Sequence, residues 1–140
     1  MKEASNILSL KSKRIKQIKE KSNSFELAKT ACMAACDKKG EDITLLDVSK
    51  LTVIADYFLI ITANSAPQIQ SIAKSIVENL ENYNINLISK EGLPGSDWTI
   101  LDFGEIIIHI MSKDERAFYK LESFWRNATF IDNKLWKKAS

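Results

Sequence analysis

Gly95-Ser96-Asp97, with Asp102 five positions further on, is the fragment of this sequence that most suggests catalysis. A Gly-Ser turn followed by two carboxylates can hold a magnesium ion for nucleotidyl transfer, provided that the carboxylates lie one residue apart. Asp97 and Asp102 differ in strand parity, so their side chains point to opposite faces and cannot share an ion as neighbours. We therefore interpret the fragment as a surface turn.

Cys32, Cys36 and His109 are the candidate metal ligands. The two cysteines lie four apart in a predicted helix, which puts their side chains along one face instead of toward each other as a disulfide requires. His109 lies far away in a predicted strand, where a structural or interface role is expected because the sequence supplies no partner for a general base. The pattern predicts reduced, buried core thiols and no metal or other cofactor.

Motifs of common enzyme classes are absent from the sequence. It contains no nucleophile elbow, no Walker loop, no paired metal-binding cysteines and no glycine-rich dinucleotide fingerprint. The sequence therefore favours a binding protein over an enzyme.

Charge is distributed unevenly along the 140 residues, although the formal net charge is only +2. Residues 1–22 hold seven Lys/Arg and two acids, whereas residues 23–133 hold 10 basic and 16 acidic residues. An acidic body is poorly suited to gripping a nucleic-acid duplex and is better suited to a basic protein partner. The basic ends favour solubilisation, with contact to nearby RNA as the alternative.

Three segments are predicted: a basic, disordered extension (1–22), one globular domain (23–132) and a basic C-terminal stub (133–140). No apolar run is long enough to span a bilayer, and we expect a cytoplasmic protein that makes no membrane contact. An organelle-targeting leader is the less favoured interpretation of residues 1–22.

Within the domain, the patterns predict the element order α-β-β-α-β-β-β-α. Ser24 is a candidate cap for a helix that stops at Gly40, and Ser65 with Gln68 forms a capping box that starts the second helix. The predicted strands are residues 43–48, 56–62, 85–89, 98–103 and 105–111, and Ser112 begins the last helix. Strand 56–62, the second helix and strand 85–89 form a βαβ crossover with two parallel strands. The fold class is α/β, with a mixed β-sheet flanked by helices.

Two patterns in the second half of the domain are specific when taken in order. W-x-x-x-D-F-G-E-x-x-x-H runs from Trp98 to His109, and R-x-F-Y-x-L-E-x-x-W runs from Arg116 to Trp125. Together with Ala55-Asp-Tyr-Phe-Leu-Ile-Ile-Thr62 and Glu91-Gly92, they resemble the Iojap or ribosomal silencing factor family over residues 24–131. The resemblance implies a fold similar to nucleotidyltransferases without their catalytic signature.

For function, the resemblance implies a non-enzymatic factor that binds the large ribosomal subunit through ribosomal protein number fourteen of the bacterial nomenclature. Binding there would block association with the small subunit and repress translation. The acidic body agrees with a basic ribosomal protein as the partner. A homodimer is also compatible with the resemblance.

Carried over residue by residue, the resemblance gives a partner-binding surface in which Trp98 and Phe103 are apolar anchors and the carboxylates pair with Lys/Arg. Its members are Glu91, Trp98, Asp102, Phe103, Gly104, Glu105, Arg116 and Tyr119. Two alternatives stay open: an adaptor in organelle ribosome assembly, and a residual nucleotidyltransferase.

Overall fold

Apolar strands and amphipathic helices alternate along residues 23–137, the part of the chain that the computed structural model describes. Helix α1 covers residues 23–37. The remaining elements, in chain order, are β1 (Glu41–Asp47), β2 (Tyr57–Ala63), α2 (Ala66–Glu81), β3 (Ser89–Glu91), β4 (Trp98–Asp102), β5 (Ile106–Ser112), α3 (Lys113–Tyr119), α4 (Leu121–Phe124), β6 (Thr129–Ile131) and a 3₁₀ turn (Asn133–Leu135).

The strands form one six-stranded mixed sheet in the order β3-β4-β5-β2-β1-β6. Strand β2 pairs in parallel with β5, and the other neighbouring pairs described are antiparallel. All seven residues of β2 are buried, and its continuous apolar run is typical of a strand covered on both faces. The predicted mixed α/β fold is confirmed.

Helices α1 and α2 cover one face of the sheet and enclose the main core with it. The inward side of α2 carries an apolar stripe at helical spacing: Ile69, Ile72, Ala73, Ile76 and Leu80. Each large aliphatic side chain buried there contributes about 1.5–3 kcal/mol. Both helices therefore pack on the same face of the sheet and leave its opposite face to other parts of the chain.

A smaller cluster covers part of that opposite face. Phe58 of β2 and Met111 of β5 are buried in it, and Trp125 packs edge-on against Phe58 with ring centroids 4.6 Å apart. The segment from α3 to Ala128 thus shields β1, β2 and part of β5 on this face. β3, β4 and the rest of β5 lack such a helix among the described residues.

Of the predicted N-terminal caps of α1 and α2, the structure confirms only the cap of α2. The Ser65 hydroxyl accepts the Gln68 N–H at 3.2 Å, which confirms the predicted cap of α2. The predicted cap at Ser24 is wrong, because residue 23 is already helical and Ser24 is buried inside α1. Ser24 Oγ lies 2.8 Å from Glu105 Oε2 and 3.1 Å from Asp56 Oδ2.

The end of α1 also differs from the prediction. Lys39, with φ of 63°, takes the left-handed conformation that ends the helix, one residue before the predicted stop at Gly40. Gly40 has another reason to lack a side chain, because a Cβ there would lie 2.8 Å from Ile61 Cγ2. The glycine therefore marks close packing between the turn and β2.

The predicted crossover partner of β2 is wrong. The strand after α2 is β3, four residues later than predicted, and it pairs antiparallel with β4 at the edge of the sheet. β4 and β5 lie between β3 and β2. The parallel neighbour of β2 is instead β5, whose apolar residues are buried on the helix side.

The C-terminal part of the chain adds elements that the sequence did not predict. The predicted last helix breaks into α3 and α4 at Lys120, whose φ is 48°. β6 then pairs with β1, and Trp136, in the segment expected to be a stub, is buried in the main core.

The cysteine prediction holds for one residue only. Cys32 is buried and free, and burial raises the pKa of its thiol well above the ordinary value. Cys36 is free but exposed, so the expectation of two buried thiols is wrong at this position.

Candidate partner-binding surface

Alternation along β4 and β5 sends two sets of side chains to opposite faces of the sheet. Thr99 and Leu101 of β4 are fully buried under the helices. The residues between them point the other way, where register partners face the same side of the sheet. We call this surface the open face; it consists of Glu91, Trp98, Ile100, Asp102, Ile107 and His109.

The open face is apolar at its centre. Ile100 lies opposite His109 on β5 and opposite Glu91 on β3, while Asp102 lies opposite Ile107. The four strand residues of β4 and β5 named here are half-buried, and Glu91 is exposed. Ile107 packs against the margin of the smaller cluster, and its exposed part, with that of Ile100, forms an apolar surface that a partner can desolvate.

Trp98 is held in place at one end of this face. Its Nε1–H donates to His109 Nδ1 at 3.0 Å, and its ring centroid lies 4.8 Å from that of Tyr119. The acceptor role of Nδ1 places the ring proton of neutral His109 on Nε2. Burial lowers the pKa of His109 to about 4, so this ring adds no positive charge to the face at neutral pH.

Asp102 shapes the other end, at the β4–β5 hairpin. Its Oδ1 accepts the Gly104 N–H at 2.7 Å, and Gly104 has a φ of 85° that favours glycine. The Asp102 carbonyl accepts the Ile88 N–H at 2.8 Å. One carboxylate therefore both builds the turn and lies on the open face.

The charge of the open face is negative. Strands β3 to β5 contribute the carboxylates of Glu91 and Asp102 to it. The one lysine on these strands, Lys90, points to the helix side, where its Nζ donates to Gln70 Oε1 at 3.0 Å. An apolar centre with carboxylates at its margin fits a basic protein partner.

Two predicted members do not join this surface. Phe103 is 6% exposed and belongs to the main core, so it is not available as an exposed anchor. The Glu105 side chain turns toward α1, where it accepts from Ser24. Both lie in the turn of residues 103–105 between β4 and β5, and neither side chain joins the open face.

Arg116 lies next to the open face, but its side chain makes hydrogen bonds within the chain that stabilise the fold. Its guanidinium donates to Glu122 Oε1, to the Asp42 carbonyl and to the hydroxyls of Thr62 and Thr44. These contacts use its N–H groups to tie α3 to β1 and β2. Only 13% of its side chain is exposed, which leaves little of it for a partner.

Ile100 and Ile107 are the surface residues that the sequence reasoning missed. Their signal was the apolar character of both faces of β4 and β5, visible in Trp98-Thr-Ile-Leu and Ile106-Ile-Ile-His. A strand that is apolar on both sides is usually covered on both sides. Here one side lacks a covering element within the described chain, so those side chains become surface.

Metal and membrane sites are not found in the described part of the chain. Among residues 23–137, no three His, Cys, Asp or Glu side chains are grouped so that they could hold a metal ion. Asp97 directly precedes β4, and Asp102 is the last residue of that strand. None of the described helices has the length and apolarity needed to cross a membrane.

Among residues 23–137, the mixed α/β sheet leaves β3, β4 and the adjoining part of β5 without a covering helix on one face, and that face carries Trp98 and the carboxylates of Glu91 and Asp102. A family model described as "Ribosomal silencing factor during starvation" matches residues 20–140. The chain therefore belongs to the ribosomal silencing factor family, as the resemblance predicted.

Individual relatives agree with this assignment. The ribosomal silencing factor of Bacillus subtilis is 37% identical over 110 residues, covering 79% of this chain and 93% of the relative. The chloroplastic Iojap protein of Zea mays is 37% identical over 77% of this chain and 47% of its own length. A crystal structure of a Chromobacterium violaceum protein superposes with a TM-score of 0.70 at 32% identity, covering 72% of this chain and 84% of that one.

Proposed function

We propose that this chain binds the large ribosomal subunit in the cytoplasm through its open face and blocks association with the small subunit, repressing translation. The contact is ribosomal protein number fourteen, a basic protein of the large subunit. The function involves no catalysis. Membership of a family whose relatives are named ribosomal silencing factors supports the ribosome as the target.

The observation that carries the proposal is the side of β3, β4 and the adjoining part of β5 that no helix covers within residues 23–137. Trp98 offers an indole that is half-buried and fixed by His109 and Tyr119, so little side-chain entropy is lost when a partner covers it. Ile100 and Ile107 supply apolar area beside it. The carboxylates of Glu91 and Asp102 are placed to meet Lys/Arg and to steer a basic partner.

Co-sedimentation tests the proposal directly. Purified protein is run on a sucrose gradient with separated ribosomal subunits, and the complementary subunit is then added. We expect migration with large subunits and fewer joined ribosomes. Absence of co-sedimentation at low salt would exclude the proposed target.

A pair of aromatic substitutions maps the surface. Trp98→Ala should weaken binding by on the order of 2 kcal/mol, or roughly 30-fold, if Trp98 is a central anchor. Tyr83→Ala is the matched control, since Tyr83 is a 59% exposed aromatic residue outside the open face. Equal affinities for two folded variants would remove Trp98 from the binding site.

One observation favours a second candidate, an adaptor in organelle ribosome assembly. The chloroplastic Iojap protein of Zea mays covers most of this chain. Such an adaptor shares the large-subunit partner but leaves subunit joining unaffected. The joining step of the same gradient separates the two functions.

A further inference from the structure

The loop between β1 and β2 presents three apolar side chains to solvent. Val53 is 100% exposed, Ile54 66% and Leu51 46%. Single exposed apolar residues are common on protein surfaces, but three within four positions form a patch. The patch lacks a cover among residues 23–137.

Hydrogen bonds hold this loop in its conformation. The Leu51 and Thr52 N–H groups donate to the Val48 carbonyl at 2.9 and 3.1 Å. The Thr52 hydroxyl accepts the Ile54 N–H at 3.2 Å. The apolar side chains are therefore presented by an ordered loop, which lowers the entropy cost of covering them.

Four acidic residues lie at the same edge of the sheet as the patch. Asp47 ends β1, Asp56 precedes β2, Asp102 ends β4 and Glu105 precedes β5, and the strand register brings these positions to one edge. We call this edge the acidic end. On the two loops that it contains, residues 48–56 and 103–105, Lys50 is the only basic residue.

The basic leader joins the domain at the acidic end. Near the start of the described chain, Ser24 Oγ lies within 3.1 Å of carboxylate oxygens of Asp56 and Glu105. Residues 11–21 hold six Lys/Arg and one acid, together with Ile15 and Ile18. Eleven extended residues reach about 35 Å, whereas the three strand spacings from β1 to β4 span only about 14 Å.

We propose that residues 11–21 fold back onto the acidic end of their own chain. Ile15 and Ile18 cover the patch of Leu51, Val53 and Ile54, and the leader's Lys/Arg lie against the four carboxylates. Charge complementarity and the short tether make this intramolecular site favourable at modest intrinsic affinity.

Because Asp102 belongs to both the acidic end and the open face, the leader is an intramolecular competitor of the basic partner. This consequence rests on the proposed function. The contact between the leader and the acidic end does not depend on that function, so the contact and the competition have separate tests.

Paramagnetic relaxation tests folding back without any partner. A spin label is attached to the cysteine of the Ser12→Cys variant of the full chain. The exposed Cys36 is changed to Ser so that it cannot be labelled, and Cys32 is buried. At low salt we expect selective broadening of the Val53, Ile54 and Gly104 amides, lost at 0.5 M salt as ionic contacts are screened (about 4 Å Debye length). Absence of selective broadening at low salt would overturn folding back.

Neutralising the leader supplies the matched comparison. Lys11, Lys13, Arg14 and Lys16, all changed to Gln, should abolish the broadening. The same change at Lys134, Lys137 and Lys138 at the other end should leave it intact. Broadening that persists in the leader variant would contradict the charge-based contact.

Competition is measured as the association rate with large subunits. The leader variant should associate about threefold faster than the native chain at low salt. An unchanged rate would overturn the competitor role, and a slower rate would assign the leader to ribosomal RNA instead. If neither chain binds subunits, the proposed function fails while the relaxation result stands.

Discussion

At the residue scale, one hydrogen bond joins Trp98, the proposed anchor for the partner, to His109, a titratable side chain. The indole N–H requires an unprotonated Nδ1 as acceptor, and burial keeps the imidazole neutral by lowering its pKa to about 4. Protonation would place two N–H donors face to face. Orientation of the proposed anchor therefore depends on a neutral His109.

This arrangement predicts that His109 makes stability depend on pH. Its pKa is about 6.5 in the unfolded chain and about 4 in the folded one, so the unfolded state binds more protons between these values. Stability from this residue is complete above pH 6.5 and is lost as pH falls toward 4, by on the order of 2–3 kcal/mol. Urea unfolding at pH 7 and 4.5 measures the loss.

His109→Gln is the matched control for this measurement, because glutamine does not titrate but can still accept the Trp98 N–H. The variant should lose less stability on acidification than the native chain. Identical losses in both proteins would show that His109 titrates normally.

Arg116 leads to a second prediction at this scale. Arg116→Lys keeps the charge but cannot reach Glu122, Asp42, Thr44 and Thr62 together, so the free energy of unfolding should fall by about 3 kcal/mol. Arg126→Lys, at an exposed position, should change it little. Chemical unfolding compares the two variants, and equal stability would contradict the role assigned to Arg116.

Residue types alone separated these roles only in part. The resemblance assigned Trp98 to the partner-binding surface, and the residue is half-buried on the open face. It could not tell that Phe103 turns into the core or that Arg116 is saturated by hydrogen bonds. Arg116 reaches Thr62, 54 positions away, and Phe103 is buried in a core that also contains residues of α1 and α2.

At the scale of elements, the turn between β3 and β4 depends on Gly92. A Cβ at Gly92, where φ is 112°, would lie 2.5 Å from the Trp98 carbonyl oxygen. Gly95 also has a positive φ, of 90°, but a Cβ there would meet no atom within 4 Å. An added Cβ would therefore cause both a steric clash and backbone strain at Gly92, but only backbone strain at Gly95.

Alanine substitutions at these glycines should differ in cost. Gly95→Ala should lose about 1 kcal/mol from the strained backbone alone. Gly92→Ala should lose about 2–3 kcal/mol, because the edge strand that carries Glu91 must also shift. Thermal unfolding tests the difference, and equal losses would mean that the turn relaxes around the added methyl group.

Element signals were strong wherever local chemistry decides the structure. The capping serines of α2 and α3 could be identified because each cap bonds an N–H three residues away. β3 was misplaced because Ile85 and Leu87 resemble a buried strand, whereas they are partly buried residues packed against the main core before β3 begins.

At the scale of the whole molecule, the uneven charge predicts salt-dependent association with the large subunit. Asp102→Asn removes one steering charge but keeps an oxygen that can accept the Gly104 N–H. Association at low salt should slow about two- to threefold, with little change at high salt. Stopped-flow mixing measures the rates.

Asp37→Asn is the control for this change, since Asp37 is an exposed acid at the far end of α1. Its association rate should match that of the native chain. A uniform effect of both substitutions would indicate net charge, and not the open face, as the source of steering.

Topology was the least predictable property of the whole chain. The alternation of helices and strands indicated a mixed sheet, yet the usual neighbour of a strand after a crossover helix is the next strand along the chain. Here that position is taken by β5, after two intervening strands. Local sequence patterns do not determine which strands become neighbours, because strand pairing depends on how well whole strands pack together.

The same parallel pair has a consequence for how the chain is made. Tyr57 of β2 aligns with Ile106 of β5, about 50 positions later, through a register that continues to Ala63 and Ser112. Closing contacts between such distant segments is entropically slow. During synthesis the edge of β2 that pairs with β5 therefore stays unpaired until β5 has emerged, and an unpaired apolar strand edge favours aggregation.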